Sequence, residues 1–267
     1  FLAGYARRGT SLKVRIAGES SEIVPSILHD RLALVALSGS DDFRGAFDAL
    51  TAMRFYHLNP DVMREPQDPH EGEVLEESGS NISSVWGQLE RSNPDLTKRL
   101  TSFLAVIVPE LNRVRRVRVG TKEGLRFHQG FPGGELQFEA SRMSDGTLRA
   151  LGVLIAAGQA NGTRAIATLS AIEEPEIALH PEAVAALMDA LHEASATKTQ
   201  IIVTSHSPDV LDQVDLLSDT LLVTEFRKGA TVIAEVDETS REAIRRHLYT
   251  PGDLLRMDQL QPQSASE

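Results

Sequence analysis

The chain has 267 residues, with 38 acidic and 27 basic side chains that give a formal net charge of −11. This length allows one large domain or two small ones, and the hydrophobic share of 41% is ordinary for a globular protein. The absence of cysteine excludes disulfides and thiolate metal sites, and the acidic charge argues against a whole-surface nucleic-acid binder. Because no apolar run approaches about 18 residues and no signal-peptide pattern is present, we expect a cytoplasmic protein with no membrane partner.

The first 80 residues predict short strands and one helix, followed by a long surface loop. Strands are predicted over 12–17, 32–38 and 54–58, where apolar residues alternate with polar ones or run together, and an acidic pair opens a helix over 41–53. Residues 59–80 hold several prolines, glycines and acidic side chains, so they are predicted as a loop.

The middle of the chain predicts two helices followed by three strands. The helices are predicted over 81–92 and 94–107, because Asn93 and the proline after it match a cap followed by proline at the first helical position. The strands are predicted within 113–140, with a turn at Gly133-Gly134 between the last two.

Helices and strands alternate after residue 145, which predicts βαβ units and a parallel sheet. A pair of strands at 219–225 and 231–236 is predicted as a hairpin, and the polar tail at 261–267 as disordered. The alternating elements are a helix over 145–160, a strand over 164–172, a helix over 181–196 and a strand over 200–204.

Two glutamates follow the apolar strand predicted over 164–172. A strand that ends on Glu173-Glu174 can present both carboxylates at the edge of an α/β sheet, where nucleotide phosphates and their Mg²⁺ usually bind. Acidic residues also begin helices, because they favour the positive end of the helix dipole. The pair alone therefore leaves a nucleotide site and a helix start open.

Two further polar segments lie at the ends of predicted elements. Ser144, Asp145 and Gly146 open the helix over 145–160, where free backbone N–H groups can meet an anion, although Ser144 also suits an ordinary N-cap. His206 follows the strand over 200–204, at the end of a parallel strand where ligands bind, although a single histidine there is often structural.

The order and spacing of these segments resemble the second half of an ABC-type ATPase head, in the branch that includes RecF, SMC proteins and the stand-alone OLD-like AAA-family ATPases. Residues 143–147 resemble the signature loop, 166–174 the Walker B strand and 178–181 the D-loop, and His206 resembles the switch histidine. The resemblance implies an α/β fold, an ABC-ATPase-like head with a mixed and parallel sheet and flanking helices, plus a helical and β insertion. The implied parts are an N-terminal lobe remainder, this insertion, a C-terminal lobe and a disordered tail, at 1–58, 59–140, 141–258 and 259–267.

The resemblance also implies a role for each matching residue. Glu174 would orient or deprotonate the attacking water, and Glu173, in the place of the usual aspartate, would help to hold Mg²⁺. His206 would contact the γ-phosphate of ATP. Because the signature loop meets ATP bound by a second subunit, the implied partner is a second copy in a head-to-tail homodimer. The implied ATP-binding set is Ser144, Asp145, Gly146 and His180.

The P-loop that such a head needs is not found in the sequence. No Gly-Lys pair occurs in the chain, and the nearest match, at 4–11, has threonine in the lysine position and runs into the strand predicted over 12–17 rather than into a helix. We interpret this match as accidental. Either the P-loop precedes Phe1 or the protein has none, and the position of the other motifs favours the first explanation. In both cases we expect that the isolated chain neither binds nor hydrolyses ATP well.

Three functions remain open at this point. The first is the catalytic half of an ATPase in DNA repair or phage defence, and the second is a nucleotide-sensing scaffold without turnover. The third is an ATPase subunit that works with a separate nuclease, since no TOPRIM-like or HNH-like pattern occurs here. The arginine-rich strand is either a DNA-facing surface or a solvated strand face, and the salt dependence of DNA affinity would separate these. Its arginines are Arg113, Arg115, Arg116 and Arg118.

Overall fold

The structure, a computed structural model, describes residues 3–8, 11–16, 32–159, 168–196, 199–227 and 229–263, the first two segments by their backbone alone. No helix in these ranges is long and apolar enough to cross a membrane. The strands are β1 (Ala3–Arg8), β2 (Ser11–Ile16), β3 (Arg54–Tyr56), β4 (Leu111–Val119), β5 (Lys122–Phe131), β6 (Gly134–Glu139), β7 (Leu169–Glu173), β8 (Gln200–Thr204), β9 (Leu222–Arg227) and β10 (Ala230–Glu235). The helices are α1 (Ala33–Leu37), α2 (Asp41–Thr51), α3 (Pro60–Arg64), α4 (Ile82–Ser92), α5 (Pro94–Ile107), α6 (Asp145–Gln159), α7 (Pro181–Ser195), α8 (Pro208–Leu211), α9 (Glu238–Arg245) and α10 (Pro251–Arg256).

Three strands form a parallel sheet with the order β3–β7–β8. Tyr56 of β3 lies opposite Ile172 of β7, which lies opposite Val203 of β8, and the first two are almost completely buried. The three strands run in the same direction, so their carboxyl ends lie at one edge. The predicted parallel sheet is therefore confirmed.

Helix α6 forms the centre of the core. It is apolar around its whole circumference, and Leu148, Leu151 and Ile155 have no exposed surface, as expected for a helix that is surrounded by other elements. Helices α3, α5 and α7 and strand β7 all contact it. Segments 59–140 and 141–258 thus contribute to one core, and the predicted domain boundaries stay a prediction.

A separate antiparallel sheet with the order β4–β5–β6 packs one face against α4. Val114 and Phe127 are buried on that face, and Nε1 of Trp86 in α4 donates to the carbonyl of Val114 at 3.0 Å. The turn between β5 and β6 uses Gly133 at φ +108°, a conformation that favours glycine. The predicted three strands and their turn are confirmed.

The strand predicted over 32–38 is wrong, because this segment contains the helix α1. Ala33 and Leu37 are both buried and lie four residues apart, so they share one face of a helix. Val35, between them, is 48% exposed, whereas a strand would turn it to the same face as its neighbours two residues away. Alanine and leucine are also strong helix formers, and a short apolar run does not by itself separate the two structures.

The segment over 59–80 is more ordered than a surface loop. It contains α3, which begins with Asn59 accepting from the N–H of Asp61 at 2.9 Å and with proline in the first helical turn. The buried side-chain amides of Gln159 and Asn81 fix the backbone of residues 73–76 by hydrogen bonds. Gln159 accepts from the N–H of Leu75 at 3.0 Å and donates to the carbonyl of Glu73 at 3.1 Å. Asn81 likewise accepts from Glu76 N–H and donates to the carbonyl of Val74.

Two further strand pairs are antiparallel. β1 pairs with β2, which confirms the strand predicted over 12–17 and places the P-loop-like match in a strand pair, with β2 rather than a helix at its end. Residues 9 and 10 of that match lie outside the described residues. β9 pairs with β10 as predicted, and Lys228 of their turn also lies outside. Of the predicted tail, Pro262 bridges to Val236, and 264–267 are outside the described residues.

We expect the two hydrogen bonds of the Gln159 side-chain amide to contribute measurably to the stability of the fold. Gln159→Leu keeps a similar volume but leaves the buried N–H of Leu75 and the carbonyl of Glu73 without partners, so we expect the free energy of unfolding to fall by about 2–4 kcal/mol. Urea unfolding measures this loss. Gln129→Leu is the matched control, because its bond to the carbonyl of Pro109 is at the surface, where water replaces it. Equal losses for both variants would contradict the assignment.

Candidate functional site

Polar residues follow each strand of the parallel sheet at the shared carboxyl edge. His57 follows β3, Glu173 is the last residue of β7 with Glu174 next to it, and Ser205 and His206 follow β8. The order β3–β7–β8 places the residues of β7 between the other two groups. This edge is where ligands bind in open α/β sheets, so the strand order assembles the candidate site.

Glu174 and His206 face each other across this edge. Oε1 of Glu174 lies 3.6 Å from Nε2 of His206, and the side chains are 38% and 93% exposed. Glu174 has a φ of +42°, a conformation that is strained for a residue with a side chain, and its N–H donates to the carbonyl of Thr204 at 2.9 Å. The strained backbone directs the carboxylate toward the loop after β8. These two predicted site residues are therefore brought together.

Glu173 pairs with a histidine that the sequence did not single out. Nδ1 of His57 lies 2.6 Å from Oε2 of Glu173, and both side chains are more than half exposed. The signal for His57 is a polar residue directly after a short strand. That signal was not enough, because the pairing of β3 with β7 is a contact between residues far apart in the chain.

Glu173 fits a Mg²⁺ ion that is held mainly by water and phosphate. Among the described residues, no group of three or more His, Asp or Glu side chains could hold a metal ion. Mg²⁺ commonly keeps several waters and takes one or two carboxylates plus substrate phosphates, so a dedicated protein cage is not required. One exposed carboxylate at the sheet edge matches that pattern.

Ser144 is the N-cap of α6. Its Oγ accepts from the N–H of Thr147 at 3.2 Å and lies 2.8 Å from the hydroxyl of the same residue. Asp145 forms an ion pair with Arg64 of α3, a partner that the sequence did not indicate. Ser144 and Asp145 are exposed, so both remain accessible at the start of α6.

Gly146 lies directly against the segment that resembles a D-loop. A Cβ on Gly146 would meet the carbonyl oxygen of Ala178 and the side chain of Leu179. Ala178 has a φ of +65°, and His180 next to this contact is exposed and makes no side-chain cap bond to α7. The signature-like and D-loop-like segments therefore touch within one chain. Among the described residues, no hydrogen bond or ion pair joins either segment to Glu174 or His206.

Tyr56 lies just before His57 but does not offer a proton to the site. Burial raises the pKa of its phenol to about 12, against the opposing effect of the nearby Arg54 cation. The phenol is therefore neutral at physiological pH and belongs to the core beneath the sheet edge.

The arginines of β4 do not form one surface. Arg116 lies on the side of buried Val114, with Nη1 2.8 Å from Oε1 of Glu123. Arg113 and Arg115 are exposed on the opposite face. Strand alternation places Arg118 on the side of Arg116. A DNA-facing surface, one of the two alternatives for this strand, would therefore consist of Arg113 and Arg115, and it stays untested.

The parallel sheet, its flanking helices and the two carboxylates at its carboxyl edge agree with an ABC-like AAA ATPase fold. The chain belongs to the family described as "AAA domain, putative AbiEii toxin, Type IV TA system", whose sequence profile matches residues 3–212. No curated protein sequence matches the chain.

Solved SMC structures are similar to this chain at low identity. One, from work on ATP-driven dimerization and DNA-stimulated activation of SMC ATPases, has a TM-score of 0.44 and 13% identity over 61% of this chain and 96% of that one. An SMC head bound to the C-winged helix domain of ScpA has a TM-score of 0.46 and 15% identity over 68% of this chain and 55% of its own. The SMC head domain from Thermotoga maritima has a TM-score of 0.38 and 15% identity over 58% and 52%. The chain thus spans about half the length of the last two.

Because the carbonyl of Ala178 lies so close to Gly146, we expect any side chain at position 146 to lower the stability of the fold. Gly146→Ala would force the backbone at Ala178 to move, so we expect the free energy of unfolding to fall by about 1–3 kcal/mol. Gly45→Ala is the control, because nothing lies within 4 Å of its Cβ position in α2. There we expect a gain of up to about 1 kcal/mol. Denaturant unfolding of both variants checks this, and an unchanged Gly146→Ala protein would contradict it.

Proposed function

We propose that the protein is an ATP phosphohydrolase in which Glu174 orients the attacking water and His206 contacts the γ-phosphate. The observation that carries this proposal is the meeting of their side chains, 3.6 Å apart, at the carboxyl edge of the parallel sheet. Family membership supports nucleotide binding by the protein. Phosphoryl transfer depends mostly on positioning and charge stabilisation, which two polar groups at a fixed edge can supply.

Glu174 suits the role of general base. Its carboxylate is partly exposed and can accept a hydrogen bond from a water that approaches the sheet edge. His206 is almost fully exposed beside it, so its imidazole can donate to a γ-phosphate oxygen while Glu174 orients the water. Both groups therefore face the same approaching substrate.

Glu173 would hold Mg²⁺, with His57 fixing the direction of its carboxylate through the 2.6 Å contact. Bound Mg²⁺ would neutralise charge on the ATP phosphates. Because glutamate is one methylene longer than aspartate, the carboxylate of Glu173 reaches farther from the strand end than the usual aspartate would.

A second copy of the chain would add a signature-like segment to the site. Gly146 is buried against Ala178, but Ser144 and Asp145 at the start of α6 are exposed, and no described hydrogen bond links them to Glu174 or His206. We assign them to ATP held by a second copy, in a homodimer. Arg64 supports this role because its ion pair with Asp145 offsets a negative charge that would otherwise repel a phosphate. His180 directly follows Leu179, whose side chain lies against Gly146, and it would join the same interface.

The lysine that would reach the β- and γ-phosphates is not in this sequence, which contains no Gly-Lys pair. We therefore expect weak ATP binding by this 267-residue chain, and hydrolysis only by a form of the protein that contains a P-loop. The family description names a toxin of a toxin–antitoxin system, which supports a role in phage defence over DNA repair. A nucleotide-sensing scaffold and an ATPase paired with a separate nuclease or other effector are the alternatives.

Glu174→Gln tests the catalytic proposal. The amide cannot accept the proton of the water, so in the longest natural form we expect kcat to fall by about 10²–10³-fold with ATP binding retained. Glu71→Gln, an exposed glutamate outside the site, is the control and should keep wild-type kcat. Phosphate release under steady-state conditions measures both. If the wild-type protein shows no ATPase activity that Glu174→Gln abolishes, the scaffold alternative is favoured.

Two variants of Ser144 distinguish a helix-cap role from a phosphate contact. Ser144→Asp keeps an N-cap side chain but adds a negative charge, so we expect wild-type thermal stability and loss of ATP-dependent dimerisation. Ser144→Ala loses the cap and should cost about 1 kcal/mol of stability. Sedimentation of both variants with ATP, in a Glu174→Gln background, measures the dimer. If Ser144→Asp dimerises as fully as the parent, Ser144 is a cap alone.

A further inference from the structure

Glu176 is a half-buried acid beside the candidate site with no role assigned above. It lies in the turn after β7, and its Oε1 accepts a hydrogen bond from Oγ of Ser205 at 2.5 Å. Its Oε2 is buried without a hydrogen-bond partner among the described residues. A buried carboxylate oxygen without a partner lowers stability, so a simple turn would be better served by another residue.

The hydrogen bonds that begin at Glu176 continue on both sides of His206. Oγ of Ser205 accepts from the N–H of Ser207 at 2.9 Å, so Ser205 and Ser207 are fixed to each other around His206. Oγ of Ser207 accepts in turn from the N–H of Asp209 at 3.2 Å and caps α8. The loop that carries His206 is therefore held at its base by Glu176.

Glu176 also holds the segment that contacts Gly146. Its carbonyl accepts from the N–H of Leu179 at 2.9 Å, and the side chain of Leu179 lies against Gly146. One residue thus joins the loop after β8 to the D-loop-like segment. Its neighbour two positions earlier, Glu174, is the group that His206 faces.

We propose that Glu176 is a positioning residue that acts through Ser205 to direct His206 toward Glu174. The exposed imidazole of His206 keeps one direction only if the backbone on both sides is fixed, and the Glu176–Ser205–Ser207 bonds provide that constraint. The catalytic part of this proposal rests on the ATPase function proposed above. The coupling between the loop after β8 and the D-loop-like segment does not depend on that function.

The kinetic test uses the longest natural form of the protein. Glu176→Ala and Ser205→Ala each remove one end of the same bond, so we expect each to lower kcat by about 10–100-fold while KM for ATP changes less than about twofold. The double variant should lose no more than either single variant. Glu176→Gln keeps an oxygen that accepts from Ser205 and should recover most of kcat. Glu71→Ala is the matched control.

Hydrogen–deuterium exchange on the chain as given tests the coupling without ATP. Glu176→Ala should speed exchange of the backbone amides over 205–211, leave α4 unchanged and keep the melting temperature. Unchanged exchange over 205–211 would overturn the proposal, whether or not the protein hydrolyses ATP. Wild-type kcat in Glu176→Ala and Ser205→Ala, with activity abolished by Glu174→Gln, would overturn it while leaving the ATPase function intact. Additive losses in the double variant would also overturn it.

Discussion

The parallel pairing of β3, β7 and β8 is the constraint on which the candidate site depends. Each strand is short and ends on a polar residue, and only the shared direction of the strands brings His57, Glu173 and His206 to one edge. The same strands also contribute to the core, where the side chains of Tyr56 and Ile172 are buried. The same three strands therefore anchor the fold on one side and present the polar groups at their ends.

Helix α6 links this sheet to the second group of candidate residues. Because α6 is buried on all sides, its start is fixed relative to the core, and Gly146 lets that start approach Ala178 more closely than any side chain would permit. The turn that contains Ala178 begins immediately after Glu174. The signature-like and Walker B-like segments are thus connected within one chain, and among the described residues no hydrogen bond or ion pair joins residues 143–147 to Glu173 or Glu174. The proposed site shared between two copies is compatible with this separation.

Local signals were enough to predict much of the fold. Helix α5 follows a cap and a proline, and β7 and β8 are apolar runs of strand length that end on polar residues, so Glu173, Glu174 and His206 could be predicted as site residues. The short apolar run at 32–38 could not be separated from a helix by periodicity. His57, Arg64 and Glu176 could not be assigned, because their partners are fixed by strand order and by the packing of α3 on α6, which no local pattern encodes.

A crystal structure of the longest natural form with Mg²⁺ and a non-hydrolysable ATP analogue tests the central claim most directly. We expect a γ-phosphate between Glu174 and His206, a metal ion beside Glu173, and Ser144 of a second copy on the opposite side of the phosphate. A nucleotide bound elsewhere, with Glu174 and His206 facing solvent only, would contradict the assignment of this sheet edge as an ATPase site.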